Sequence, residues 1–341
     1  MPRVGRHPMK KGLGLDTLNL KNLTIGSIVH IPDTKGFWKD SLKILDICIS
    51  SIYQNTSQDF DLHIFDNGSC DEVKEYLIEK NKKGVIQHLS FSDKNLKKTG
   101  ALNKLLRQSD GDYFAYLDSD ALMLPGWLEA SLNVINNFEN VGQVTCIPIA
   151  RCFDNPQDII NSLKKFQNIE CSSSSDFIPE EFVKAHAISV GMDYEKYKAN
   201  RLSGREDIKI TKNDVTAYYG SVDFQFLTSR KVIESVLPLP TNCNGLRGDD
   251  IYKPIWESEL AKKGFIMLST EDYLVHHIGN TIPNLNDELP WLELKVEGLT
   301  NNDNETKNLK LKKENRLLRS TRLRRLIKRI HHWTYDFLYE K

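Results

Sequence analysis

Two carboxylates one residue apart, Asp118 and Asp120, close the apolar run Asp112-Tyr-Phe-Ala-Tyr-Leu117. Acids so spaced at the end of a strand offer hard oxygen ligands. Mg2+ or Mn2+ is held through one or two such carboxylates plus substrate phosphates. A bare Asp-x-Asp is otherwise a solvated acidic turn, but here an apolar strand precedes it and Leu124-Pro-Gly-Trp127 opens a helix behind it. A second acidic pair lies in Arg247-Gly-Asp249-Asp250, at the start of a helical pattern. Such a carboxylate can serve as a general base, or simply cap the helix and answer its dipole. A third group is Val275-His276-His277-Ile278-Gly279. A neutral imidazole is a common metal ligand. Of the two histidines, His277 before Ile-Gly is the candidate ligand and His276 is expected to alternate outward. The bland alternative is polar filler after a strand.

Positioning these groups takes an ordered set of elements. Thr24–Ile31 reads as a buried strand ended by Pro32, and Ser41–Tyr53 as a helix with apolar residues at helical spacing. Asp61–Phe65 is a second strand, stopped by the turn Asp66-Asn-Gly-Ser69. Asp71–Asn81 is a helix, acidic at its start and Lys-rich at its end. Gly84–Leu89 is predicted as a third strand, Lys98–Gln108 as a helix and Asp112–Leu117 as the fourth strand. Pro125–Phe138 follows as a helix and Val141–Ile147 as a fifth strand. This alternation predicts an α/β fold with a mostly parallel sheet flanked by helices. Ligands of such sheets bind beyond the carboxyl ends of the strands, where Pro32-Asp33, Asp66–Ser69 and Asp118–Asp120 stand. The polar stretch 154–214, with Ser172–Ser175, is expected to form an insertion or lid with some helix. Ala217–Leu227, Phe265–Leu268 and Tyr273–Val275 are predicted strands, and Arg247–Lys263 a helix complicated by Pro254.

The chain has 341 residues, with 46 Lys+Arg against 46 Asp+Glu. That length carries a sizeable core and excludes a disulfide-dense mini-protein or wholesale disorder. Zero net charge hides a polarity. Thr306–Ile330 holds eleven Lys/Arg against Glu314 alone, so an acidic body precedes a basic tail. Leu323, Leu326, Ile327, Ile330, Trp333 and Phe337 recur in that tail at helical spacing. A basic amphipathic helix suits an anionic membrane surface or nucleic-acid phosphates, and equally suits packing on the acidic body or in a homo-oligomer. No apolar run reaches the length of a spanning helix, and the first sixteen residues hold no signal-peptide core. A cytoplasmic protein, peripheral to the membrane through its tail, is the expectation. The six cysteines are scattered without a Cys-x-x-Cys pair, as reduced structural thiols.

From Thr24 to Asn280 the chain resembles the family 2 glycosyltransferases of the GT-A fold. The resemblance is carried by the strand closing at Pro32, Asp66-Asn-Gly-Ser69, Gly100-Ala-Leu-Asn103, Gly111–Asp120 and Leu-Pro-Gly-Trp127, in that order. It implies a GT-A-like, Rossmann-type sheet and an inverting transfer of sugar from a nucleotide diphosphate donor, UDP by family habit, with Mn2+ or Mg2+. It implies nucleotide-binding roles for Pro32, Asp66, Gly100, Asn103, Asp118 and Ser119. It implies metal ligation by Asp120, with Asp118 and His277, and base catalysis by Asp250 first and Asp249 second. The chain departs from the resembled pattern after that pair, with Lys253, Pro254 and Trp256 where the family carries an arginine.

The expected organisation is a basic arm over 1–21, a nucleotide-sugar half over 22–150, an acceptor half over 151–290 and the basic helical tail over 291–341. The expected acceptor is a surface polysaccharide or glycolipid. Two other readings compete: a transferase acting on hydroxylated DNA or protein held by the basic arms, and a non-catalytic nucleotide-sugar-binding module.

Overall fold

The structure is a computed structural model that describes residues 21–148, 155–202, 206–241 and 248–282. Residues 1–20 of the basic arm, the basic tail, residues 149–150 of the nucleotide-sugar half and residues 151–154, 203–205, 242–247 and 283–290 of the acceptor half lie outside the described residues. The elements run β1 (Leu23–Val29), α1 (Ser41–Asn55), β2 (Phe60–Asn67), α2 (Asp71–Lys82), β3 (His88–Ser92), α3 (Lys97–Arg107), β4 (Tyr113–Asp118), β5 (Ala121–Met123), α4 (Trp127–Asn137) and β6 (Val141–Thr145). They continue with α5 (Pro156–Phe166), β7 (Glu170–Ser174), α6 (Glu180–Ser189), α7 (Tyr194–Leu202), β8 (Asp207–Lys212) and β9 (Val215–Tyr219). The last are β10 (Gln225–Ser229), α8 (Arg230–Val236), α9 (Gly248–Lys262), β11 (Ile266–Thr270) and β12 (Val275–His277).

A ten-stranded sheet has the order β3-β2-β1-β4-β10-β6-β11-β9-β8-β7. β3, β2, β1 and β4 are parallel neighbours. β10 runs antiparallel between β4 and β6, and β11 is again parallel to β6. The sheet is therefore mixed, with a parallel half that matches the predicted βαβ units. Strand alternation divides its faces. Ala115 and Leu117 of β4 face the core under α1, α2 and α4, whereas Phe114 and Tyr116 face the core under α3, α8 and α9. At Gly26 of β1 an added Cβ would lie 2.5 Å from the Phe114 ring, so only glycine lets that ring sit against the strand.

Three expectations are corrected. The third strand is not Gly84–Leu89 but β3, beginning at His88. Gly84, at φ +73, ends α2 instead. Its N–H reaches Asn81 O at 2.9 Å and the Val85 N–H reaches Lys80 O at 3.0 Å, a Schellman closure that uses the apolar Val85-Ile86 pair as its anchor. Ala217–Leu227 is not one strand: Gly220, at φ +125, separates β9 from β10. The serine-rich run predicted inside a lid forms β7, an antiparallel edge partner of β8. An edge strand draws half of its satisfaction from one ladder and asks little of its side chains, so hydropathy hides it. Pro254 does not interrupt α9, whose bounds run through it. No described helix is long and apolar enough to cross a membrane.

One buried group makes the fold pH-sensitive. His63 is 2% exposed on β2, opposite His88 of β3. Burial, then the neighbouring His88, pushes its imidazole down to about 4. The unfolded chain thus binds the extra proton first. The stability is full above about pH 6.5 and is lost as pH falls towards 4. Urea denaturation between pH 7 and pH 4 should cost the wild type about 3 kcal/mol more than it costs His63→Leu. Equal pH slopes would refute the assignment.

Candidate active site

The rim is built at the carboxyl ends of β2, β1 and β4. Register aligns Val29 with Asp66 and Ile28 with Asp118. Asp66 and Asp118 thus flank β1 at nearly one level, about 10 Å apart by strand spacing.

The first acidic turn is a rigid support. Asp66 is 0% exposed and accepts the Ser69 N–H at 3.3 Å, and burial pushes its carboxyl upward. The hydroxyl of Ser69 accepts the Ile31 N–H at 3.0 Å and so holds the chain leading into Pro32, rather than capping α2. Asn67 accepts the Leu96 N–H at 2.8 Å and donates to Asn95 Oδ1 at 3.1 Å, which fixes the entry to α3. Gly68 stands between them at φ +81, where an added Cβ would lie 2.9 Å from the backbone of Lys94.

Gly100 and Asn103 lie on α3. Both polar functions of the Asn103 amide are used by one backbone unit: Nδ2 donates to Leu239 O at 2.9 Å and Oδ1 accepts the Leu239 N–H at 2.8 Å. Asn103 thus fastens α3 to the segment after α8. Pro32 and Ser119 are part-exposed on the loops that leave β1 and β4.

The second acidic turn is where charge gathers. Asp118 accepts Lys98 Nζ at 2.9 Å on Oδ1 and 3.0 Å on Oδ2, and also the Tyr116 hydroxyl at 2.5 Å. Lys98 Nζ also donates to Asp223 O at 3.3 Å. Burial pushes the Asp118 carboxyl up, with Lys98 opposing. Burial pushes Lys98 down, but Asp118, Asp223 and Asp120 outweigh it and the ammonium is held above its ordinary value. Sequence reasoning missed Lys98. It stands two residues before Gly100 in the first turn of α3, but its partner is twenty residues on.

Asp120 is joined to a residue far along the chain. β12 pairs with β5, setting His277 opposite Ala121, and the Ile278 N–H donates to Asp120 O at 2.8 Å. His277 Nε2 then lies 3.2 Å from Asp120 Oδ2, and Nδ1 lies 3.3 Å from Ser189 O at the end of α6. Burial opposes protonation of His277, but Asp120 overrides it and lifts the imidazole to about 9. His276 does not alternate outward. It is 0% exposed and lies 2.9 Å from the Tyr273 hydroxyl, while the part-exposed neighbour is His277.

The donor chemistry fits a divalent ion. Among the described residues no three His, Cys, Asp or Glu gather into a metal cluster. Asp120 and His277 nevertheless supply one hard oxygen and one imidazole nitrogen 3.2 Å apart. Two protein donors suffice where diphosphate oxygens complete the shell. His277 would give up its Nε2 proton to serve. Asp118, by contrast, is engaged with Lys98 and Tyr116.

Asp249 and Asp250 occupy the first turn of α9. Their side chains lie outside the described residues. The described cysteines Cys48, Cys70, Cys146 and Cys171 are free thiols.

Gly68→Ala should cost about 1–3 kcal/mol, because it forces a side chain into left-handed backbone against Lys94. A urea midpoint unchanged from wild type would show that the turn is not under this constraint.

Residues 39–178 match the family model described as Glycosyl transferase family 2. An uncharacterized glycosyltransferase of Rickettsia bellii (strain RML369-C) is 33% identical over 92 residues, which cover 26% of this chain and 13% of that protein. A mannosyltransferase from Pyrobaculum calidifontis, solved with GDP-Man and Mn2+, aligns at 15% identity and a TM-score of 0.43 over 76% of this chain and 57% of its own. GalNAc-T7, solved with UDP, GalNAc and Mn2+, aligns at 14% identity and a TM-score of 0.47 over 76% of this chain and 44% of its own. This chain thus spans a minor part of the first relative and about half of each solved chain. The matched residues 39–178 include the ordered motifs from Asp66 to Trp127 that carry the resemblance to this family.

Proposed function

We propose that this protein is an inverting glycosyltransferase that moves a sugar from a nucleotide diphosphate donor, UDP in the first instance, to an acceptor hydroxyl. One observation carries the reading. Within and beside the residues that match the family 2 model, β4, α3 and β12 bring Asp118, Asp120, Lys98 and His277 to one rim of the sheet.

In this reading Asp120 and His277 hold Mn2+ or Mg2+, with Asp118 beside them. The ion supplies positive charge to the departing diphosphate. Lys98 adds a second positive charge that needs no metal. It lies against Asp118 and has the length to turn its ammonium towards phosphate oxygens. Asp66 and the turn around it, with Pro32, Gly100, Asn103 and Ser119, form the nucleotide side of the rim. Asp250, with Asp249 as the alternative, takes the proton of the acceptor hydroxyl. The hydroxyl oxygen bonds to the anomeric carbon as the bond from that carbon to the diphosphate oxygen breaks, and the nucleoside diphosphate leaves on the opposite face. The configuration inverts because attack and departure lie on opposite faces.

The acceptor in this reading is a surface polysaccharide or glycolipid. The basic amphipathic tail supports it, since eleven Lys/Arg within Thr306–Ile330 suit an anionic membrane surface. A cytoplasmic protein peripheral to that membrane follows as part of the same reading.

A thermal-shift screen of nucleotide sugars with Mn2+ should raise the melting temperature for one donor class, since a ligand of the native state stabilises it. With that donor, Asp120→Asn should abolish transfer. Asp250→Asn should lower kcat by about 10²–10⁴-fold with donor affinity kept. Retained activity in Asp250→Asn transfers the role to Asp249. Donor binding without hydrolysis or transfer would make the protein a binding module. Co-sedimentation with DNA rather than anionic vesicles would move the acceptor to a macromolecule.

A further inference from the structure

Beneath the rim, buried polar groups join the acid-bearing helix to the donor site. Trp256 of α9 is 1% exposed and donates its indole N–H to Gln143 Oε1. Gln143, 1% exposed on β6, donates its amide N–H to the Ser221 hydroxyl and reaches Val222 O at 3.5 Å. Residues 221–224 then deliver two carbonyls to the rim. Asp223 O accepts Lys98 Nζ at 3.3 Å, and Phe224 O accepts the Asp118 N–H at 2.7 Å. A second route starts from the same indole. Trp256 stacks on Phe226 at 5.2 Å, Phe226 stacks on Tyr116 at 5.3 Å, and the Tyr116 hydroxyl meets Asp118 at 2.5 Å.

We propose that Gln143 is a positioning residue: its carboxamide fixes the start of α9 relative to the loop that carries the carbonyl partners of Lys98 and Asp118. The proposal rests on the reading of Asp249 or Asp250 as the base. Trp256 stands six residues after Asp250, less than two helical turns. Asp250 and the rim belong to elements that do not touch in sequence. An in-line transfer nevertheless needs base and leaving group on opposite faces of one sugar, and small misplacements there are costly. A buried amide is suited to this task. Its donor and acceptor have fixed directions, and leaving either unpaired in the core is costly, so it holds α9 in one register where apolar packing would tolerate sliding. The Gln143 amide bonds to Trp256 and to the 221–224 loop, and it acts on the rim through them.

The test uses the full chain with two variants. Trp256→Phe keeps an aromatic ring on Phe226 and removes only the N–H donor. Gln143→Met keeps the volume and removes the amide's bonds to Trp256, Ser221 and Val222. Hydrogen exchange of α9 amides should quicken about tenfold in each variant while α1 amides stay as in wild type. Turnover of the UDP-sugar that the wild type uses with Mn2+ should show kcat lowered about ten- to a hundredfold, with the Kd for UDP–Mn2+ within about twofold of wild type in Trp256→Phe. The double variant should be no worse than Gln143→Met alone. Unchanged α9 exchange in Trp256→Phe, or a kcat equal to wild type, would overturn the proposal, as would fully additive losses in the double variant. The exchange arm needs no substrate, and wild-type turnover is measured separately. A failure of the transferase reading is therefore told apart from a failure of this one.

Discussion

Parallel pairing through β1 is the constraint on which the site depends. Because β2, β1 and β4 run the same way, their chains all leave the sheet at one edge, and the register sets Asp66 and Asp118 on either side of β1. An antiparallel order would have sent one acidic turn to the far edge. The core enforces this register. A slip of one residue would exchange Ala115 and Leu117 with Phe114 and Tyr116, placing the aromatic pair under α1 and the small pair under α3.

The electrostatics of the rim follow from closeness. Asp118 and Asp120 sit at the edge of a low-dielectric core, and each is matched with a cation from another element: Lys98 from α3 and His277 from β12. Burial pushes the Asp118 carboxyl up and the Lys98 ammonium opposes it. Both cationic partners are themselves suited to anionic or metal-bound ligands. The arrangement reads as two functions separated by contact. Asp118 is directed to Lys98 and Tyr116, and Asp120 to His277. Support is arranged in the same economical way, since Ser69, Asn67 and Asn103 each use one side chain to bind a loop to its neighbour.

Much of this was legible in the residues. The parallel half of the sheet, the helices between its strands and the turn at Asp118-Ser119-Asp120 are read from local patterns of period two and 3.6. What local patterns misjudge are segments whose role is set by a partner. Val85-Ile86 has the hydropathy of a strand, but it anchors the cap of α2. Ser172–Ser174 has the polarity of a loop and is a strand because β8 lies beside it. His276 and His277 were separable only as alternating neighbours, and which faces the core depends on the β5 partner.

By itself the sequence determined the order of elements, the residue types at the carboxyl ends of the strands and the resemblance that joins them. Those rest on interactions between residues close in the chain, where spacing is geometry. Only the tertiary structure decided that Lys98 meets Asp118, that His277 meets Asp120, and that Trp256 and Gln143 bridge α9 to the 221–224 loop. Each of those is a contact between side chains brought together by strand pairing and burial. Neither their sequence separation nor their residue type specifies a partner; the packing of the two cores does.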